Sequence, residues 1–306
     1  MKVLITGSAG LIGRSLTEAL LADGHAVVAA YRTSPPQGLA ASDRLRFVRL
    51  DLARPVRGVE PVDVVIHAAA HTHLIPDSTA RHYIRSNILG TLHLIEYTKA
   101  ARPQGVICLS TMSVYGEVAV DELDEDTPLN QPELYGASKY VAELIAREAG
   151  GVVPALCVRL PGVVGRGYFT PWIGTLLRAA IRHEPLRIYN PDAFFNNIVD
   201  LQEIARFIAH LIRRGVGGCD LVNLAASEPM RIRDVAALVR SLTGSRAEIV
   251  VMERAVKRSF VIRTARLRDR LGFVPLTTQE ILQRYVMEQV PVPSQPVAVA
   301  GPMGWR

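Results

Sequence analysis

Nothing in this chain approaches the ~20 consecutive apolar residues that a membrane-spanning helix needs, so no membrane association is expected. Met1-Lys2 runs straight into an apolar strand pattern, without the layout of a secretory leader. Cysteine is scarce. The three residues Cys108, Cys157 and Cys219 lack both metal-type spacing and the even count of a disulfide framework. Their apolar neighbours point to buried thiols in a reducing cytoplasm. Aromatics make up only 6% of the chain. They are not interleaved with the arginines in any one stretch, which argues against a nucleic-acid surface. No internal repeat is present, and the Pro-, Val- and Ala-rich tail from Val290 has no periodicity, so it is expected to be poorly ordered.

What is present suits a large globular protein with an ample core. The 306 residues are 49% hydrophobic and 21% charged, enough for one large domain with a smaller lobe. The net charge of +6 fits an anionic small-molecule ligand and a solvated surface.

The chain opens on Val3-Leu-Ile5, a short apolar run without alternation, as expected for a strand covered on both faces. Thr6-Gly7 ends it, and a helical pattern with Ile12, Leu16, Ala19 and Leu20 on one face follows at once. Gly7, Gly10 and Gly13 punctuate this junction in a G-x-x-G-x-x-G pattern, one residue longer than the dinucleotide fingerprint. A strand, a glycine turn and a helix together offer free N–H groups to a phosphate. Gly7 would allow the turn, Gly10 the approach of a pyrophosphate and Gly13 the packing of helix on strand.

Alternation continues, with strands expected near 26–30, 45–50, 62–67, 106–110 and 152–160. Helices are expected near 78–101 and 135–148. Repeated β-α units imply a parallel sheet with helices on both faces, and ligands beyond the carboxyl ends of its strands. After Gly165 helices dominate (near 170–182, 201–213, 231–243 and 277–289), with short strands near 186–189, 221–223 and 248–251. The expected division is a dinucleotide-binding domain over 1–165, to which segments near 190–225 return. A substrate lobe over 166–189 and 226–290 would complete it, with 291–306 as the tail.

Tyr135 and Lys139 lie four apart at the start of a helix, on one face. A nearby ammonium favours the phenolate, so Lys139 is expected to lower the Tyr135 pKa toward working pH. Ser110-Thr111 ends a strand at the ligand edge, where the Thr111 hydroxyl could hold a carbonyl or alcohol oxygen. His67, His71 and His73 cluster after the fourth strand. They are read as one strand-end histidine and two loop histidines near the substrate cleft, with no metal expected.

Together these pieces resemble the extended short-chain dehydrogenase/reductase family, in its sugar-nucleotide epimerase/dehydratase branch. The likeness runs to about Val286. It rests on Thr6-Gly7-x-x-Gly10-x-x-Gly13, Asp51-Leu52, Val65-Ile-His-Ala-Ala-Ala70, Ser86-Asn-Ile-Leu-Gly-Thr91, Ser110-Thr-x-Ser-Val-Tyr-Gly116, Tyr135-x-x-x-Lys139 and Leu271-Gly-Phe-x-Pro275. The resemblance implies a doubly wound parallel α/β sheet (Rossmann) with a smaller C-terminal α/β lobe. It implies a cofactor held by Gly7, Gly10, Leu11, Ile12 and Gly13, with Asp51 and Leu52 bordering the adenine and Ala68, Ala69 and Ala70 lining the cleft. Tyr135 would move the proton, Lys139 would hold the nicotinamide ribose, Thr111 would orient the reacting oxygen and Pro161 would begin the loop beside the carboxamide. Asn87 is expected to be structural. His71, Thr111, Met112, Ser113 and Asn196 are the substrate candidates, and a homodimer through the helices of Asn87 and Tyr135 is compatible with the family.

Three departures narrow the reading. Where NAD-specific members usually place an acid, Tyr31 and Arg32 follow the second strand, which favours NADP(H) over NAD(H) because an arginine can pair with a 2′-phosphate. Met112 and Ser113 replace the Asp-Glu pair of the dehydratases. Asn196 or Asn197 stands where an arginine often meets the substrate pyrophosphate, and Arg254, Arg258 or Arg263 would have to compensate. The expected activity is reduction of a keto-sugar nucleotide or related polyol-like substrate. A nucleotide-sugar 4-epimerase is the main alternative, and a non-catalytic NADP-binding regulator is the alternative of another class.

Overall fold

The computed structural model describes residues 1–168, 171–218, 220–253 and 259–289. The expectations placed on Thr170, Cys219, Arg254, Arg258 and the tail from Val290 fall outside them. The first part of the chain forms β1 (Lys2–Thr6), α1 (Leu11–Ala22), β2 (Ala26–Tyr31), β3 (Leu45–Arg49), β4 (Val64–His67), α2 (Ala80–Tyr83) and α3 (Gly90–Ala101). Then come β5 (Gly105–Thr111), β6 (Glu122–Leu123), α4 (Leu134–Glu148), β7 (Ala155–Leu160) and β8 (Gly162–Val164). The rest comprises α5 (Pro171–Ile181), β9 (Leu186–Ile188), β10 (Phe194–Phe195), β11 (Ile198–Asp200), α6 (Leu201–Arg214) and β12 (Leu221–Asn223). It ends with β13 (Met230–Arg231), α7 (Ile232–Leu242), β14 (Ile249–Val251), β15 (Val261–Ile262), α8 (Ala265–Leu271) and α9 (Thr278–Gln289).

Seven strands make one parallel sheet in the order β12-β7-β5-β4-β1-β2-β3. Along β1 the side chains alternate between two cores. Val3 and Ile5 pack with Leu16, Leu20, Phe207 and Ile208 of α1 and α6. Leu4 packs on the opposite face with Leu94, Ile95 and Ala146 of α3 and α4. Burial on both faces explains why these strands read as unbroken apolar runs. A third core joins α5, α7 and α9 through Leu177, Val235, Val239 and Ile281.

The chain leaves β1 toward β2 on one side, and later resumes with β4 on the other. Strand order therefore reverses between β1 and β4, and a crevice opens beyond their carboxyl ends. Thr6 pairs with both Ala30 and His67 at this edge.

Two local differences from the sequence reading have physical causes. The helix expected over 78–101 is wound as a π-helix from Ile84 to Leu89 between α2 and α3. This wide turn keeps Asn87 buried and hydrogen-bonded to the loop after β4. Helix α8 has no counterpart among the helices expected from the sequence. Its seven residues, Ala-Arg-Leu-Arg-Asp-Arg-Leu, bury only Leu267 and Leu271, too little for a periodic signal.

Candidate active site

The glycine junction is shaped by backbone contacts. Gly7 adopts φ +70°, and a Cβ there would lie 2.6 Å from the Ala69 Cα. A Cβ on Gly13 would drive into the Gly7 carbonyl. The Ser8 amide and hydroxyl both donate to the Ala30 carbonyl, at 3.1 and 2.9 Å, fastening the turn to the end of β2. Gly10 caps α1 without a side-chain bond, and no acidic residue occupies the first helical turn. The N–H groups of Leu11, Ile12 and Gly13 are among those a helix start leaves without an intrahelical partner. A Cβ on Gly10 would meet only the Gly7 carbonyl, at 3.3 Å, and otherwise open space. Such a cradle fits a pyrophosphate.

A cleft of about 400 Å³ opens beside it. Its walls bring together Gly7, Gly10, Tyr31, Arg32, Asp51, Leu52, Ala68, Ala69, Ala70 and His71 from the sequence-derived set. Leu11 does not line it, but faces a neighbouring hollow together with Gly10 and Arg166. Thr33, Ser34 and Arg85 also line the cleft and were not anticipated. Arg85 pairs with Asp51 at 3.5 Å. Arg32 is exposed and has no acidic partner among the described residues; its carbonyl accepts from Arg49 Nε at 3.3 Å.

The second cluster sits where β5 meets α4. Thr111 ends β5, accepts from the Ser113 amide and donates to the Ser113 hydroxyl, both at 3.2 Å. Met112 and Ser113 therefore belong to the short helical turn Met112–Tyr115. Tyr135 lies in the first turn of α4, its ring centroid 5.0 Å from that of His73 and 6.1 Å from that of Tyr83. Burial pushes the Tyr135 phenol up to about 12, against a smaller lowering effect of the neighbouring Thr111 hydroxyl.

The expectation that Lys139 lowers this pKa is corrected here. Lys139 is 4% exposed, and its Nζ donates to the Leu109 carbonyl at 2.8 Å. Its charge acts on His67 and is not among the causes of the Tyr135 shift. Burial lowers the pKa of Lys139 itself, opposed by the neighbouring Cys108, Glu143 and Cys157.

A family model for the NAD dependent epimerase/dehydratase family matches residues 3–220. The chain belongs to that family. It is an NAD(P)-dependent enzyme of the extended short-chain dehydrogenase/reductase type. It is 27% identical to a UDP-glucose 4-epimerase of Azospirillum brasilense, over 90% of this chain and 87% of that protein. It is equally 27% identical to a 4-hydroxy-2-methyl-3-oxo-4-farnesyl-3,4-dihydroquinoline-1-oxide ketoreductase of Stigmatella aurantiaca, over 81% and 75%. Among solved structures it is similar to MoeE5 in complex with UDP-glucuronic acid and NAD, at 26% identity. That superposition has a TM-score of 0.75 and covers 94% of this chain and 98% of that one.

In this epimerase/dehydratase-family chain, buried polar residues hold the two clusters in place. Asn87 accepts from the His71 amide at 2.7 Å, and donates to the His71 carbonyl at 3.0 Å and the Ser138 hydroxyl at 2.9 Å. One amide thus clasps the loop after β4 to α4, which agrees with a structural Asn87. His67 is 1% exposed, and burial lowers its pKa to about 3. Thr91 spends its proton on the Asn87 carbonyl, so it accepts from His67 Nε2 at 3.0 Å; His67 Nδ1 then accepts from Thr6 at 2.7 Å. His71 bonds Ser78 through Nε2 at 2.8 Å and stacks on His82 at 4.9 Å. Glu143 and Arg159, both 3% exposed, pair at 2.7 Å beneath β5 and β7.

Asn196 is not brought to the cleft as a ligand group. It is 1% exposed, its amide donates to the Ala226 and Ile262 carbonyls at 2.9 and 2.8 Å, and its oxygen accepts from the Ile262 amide. It braces the strands around it instead. Pro161 lies between β7 and β8, partly exposed. Arg263, one of the candidate compensating arginines, is paired with Glu122.

Proposed function

We propose that this enzyme is an NADP(H)-dependent ketoreductase acting on a keto-sugar nucleotide or related polyol-like substrate. The observation that carries the reading is Arg32. Its guanidinium, without an acidic partner among the described residues, stands beside Thr33 and Ser34 on the cleft wall, where an acid would be needed to hold a ribose diol. The dinucleotide would lie on the Gly7–Gly13 turn, with Asp51 and Leu52 at the adenine and Ala68, Ala69 and Ala70 along its length. The bound nicotinamide would supply or accept the hydride.

The proton work belongs to the chain. Tyr135, held at about 12, carries its proton at neutral pH and would give it to a carbonyl oxygen. Thr111 would hold that oxygen, and Lys139 would exchange the Leu109 carbonyl for the ribose. Met112, Ser113 and His71 would face the substrate. Exposed Ile84, Leu134 and Leu144 support a homodimer through the helices flanking the cleft. Buried, unbridged Cys108 and Cys157 suit a reducing cytoplasm. Among the described residues no helix is long and apolar enough to cross a membrane.

A second reading, a nucleotide-sugar 4-epimerase with retained NAD(H), is favoured by the similarity to the Azospirillum enzyme. The purified protein separates the two. Cofactor-free protein that oxidises NADPH with a keto-sugar nucleotide supports the reductase; NAD(H) retained at near-unit occupancy supports the epimerase. Within the reductase reading, Arg32→Ala should weaken NADP(H) about tenfold to a hundredfold while sparing NAD(H). Equal losses for both cofactors would sink the NADP(H) assignment.

A further inference from the structure

We infer that His73 is a substrate-contacting, specificity-determining residue, which recognises a hydroxyl on the carbon next to the reacting carbon. The inference rests on the reading of Tyr135 as proton donor and adds to it a group that no motif marks.

Three observations carry it. First, His73 alone among the histidines makes no hydrogen bond to any described residue; every other one bonds a group within the chain. Second, it is exposed and so contributes nothing to the core, yet its ring lies 5.0 Å from that of Tyr135, tilted by 48°. Third, its loop is not loose. Two residues before it, His71 is held through both its amide and its carbonyl by Asn87, and through its ring by Ser78. The anchored loop therefore offers an imidazole that no hydrogen bond within the described residues claims, beside the proposed proton donor.

The chemistry narrows the ligand. A neutral imidazole has one donor and one acceptor nitrogen. A hydroxyl has the same complement, and a carbonyl-bearing sugar carbon has hydroxylated neighbours. A hydroxyl beside the reacting carbon is thus within the chemical repertoire of His73, whereas a deoxy carbon would leave the imidazole unanswered. A neutral hydrogen bond of about 0.5–1.5 kcal/mol corresponds to roughly a threefold to tenfold preference.

The test uses the full-length protein loaded with cofactor, and two probes, UDP-glucose and its 3-deoxy analogue. Dissociation constants are measured by calorimetry for the wild type, His73→Ala and His73→Gln. The wild type is expected to prefer UDP-glucose threefold to tenfold, His73→Ala to lose that preference, and His73→Gln to restore part of it through its amide. Cofactor affinity should be the same in all three proteins. An undiminished preference in His73→Ala, or an equal loss for both probes, overturns the inference and leaves the Tyr135 reading standing. Failure of UDP-glucose to bind the wild type removes the nucleotide-sugar reading and the inference together.

Discussion

The two halves of the proposed site, the glycine turn and the cluster around Tyr135, are built from different materials. At the glycine end the working groups are main-chain: positive φ at Gly7, close approach at Gly13, and the first amides of α1. At the proposed reacting end they are side chains of β5, α4 and the loop after β4, the last two tied together through Asn87. A main-chain site is specified by what is missing, namely Cβ atoms. A side-chain site is specified by what is present and by the partners that aim it. The first should fail by steric blockage and the second by graded loss of chemistry.

The largest expected effect breaks the reacting end alone. Tyr135→Phe removes one oxygen and keeps the ring against His73 and Tyr83. Turnover is expected to fall by about 10²–10⁴-fold, the usual loss for a positioned proton donor, while cofactor affinity persists. Wild-type turnover in that variant would remove Tyr135 from the mechanism.

The matching break at the glycine end is Gly10→Val. The branch would fill the open space beside the Gly7 carbonyl, so the chain should fold, melt near the parent and bind no cofactor by fluorescence titration. Normal binding by a folded Gly10→Val protein would show that the cradle lies elsewhere.

A smaller effect sharpens the contrast through pH. His67 is buried, with a pKa lowered from 6.5 to about 3. The unfolded chain therefore binds its proton more readily than the folded one. The stability contributed by neutral His67 is complete above pH 6.5 and is lost as pH falls toward 3. Thermal melts should show this acid loss in the wild type, with a shallower slope in His67→Leu.

Asp200 should act in the opposite sense, and most weakly. Burial raises its pKa from 3.8 to about 6, against the Glu203 amide and the Arg284 guanidinium. Its protonated form favours the fold, so its contribution is present below pH 3.8 and fades as pH rises through about 6. Asp200→Asn keeps an N-capping oxygen for α6 and should flatten the melting curve between those values. An unchanged pH profile would show that Arg284 neutralises the carboxylate fully.

The contrast between backbone and side chain also decides what a reader of the sequence can see. The sheet was legible because strands buried on both faces, such as Val64–His67 and Ala155–Leu160, appear as apolar runs. Two-residue strands such as Phe194–Phe195 carry no such signal. The glycine turn was legible because its spacing is local. Tyr135 and Lys139 were legible as a pair one helical turn apart. Missed were Thr33, Ser34, Arg85 and the clasp of His71 by Asn87, since these depend on which surfaces meet after folding. The partners of Asn87 lie 16 and 51 residues away in sequence. The same blindness misplaced Asn196, whose amide serves a carbonyl 66 residues away, and overvalued the ammonium of Lys139, already committed to Leu109.

The π-wound segment Ile84–Leu89 has a consequence for insertions and deletions. Such a turn is an α-helix that has absorbed one extra residue. Deleting one residue there would let α2 and α3 fuse into a single α-helix with their phases preserved, so Leu94 and Ile95 would keep their places in the core. The length change would be absorbed locally, and Asn87 would turn away from His71. In this part of the chain, a one-residue deletion is expected to spare the fold and release the loop that carries His73.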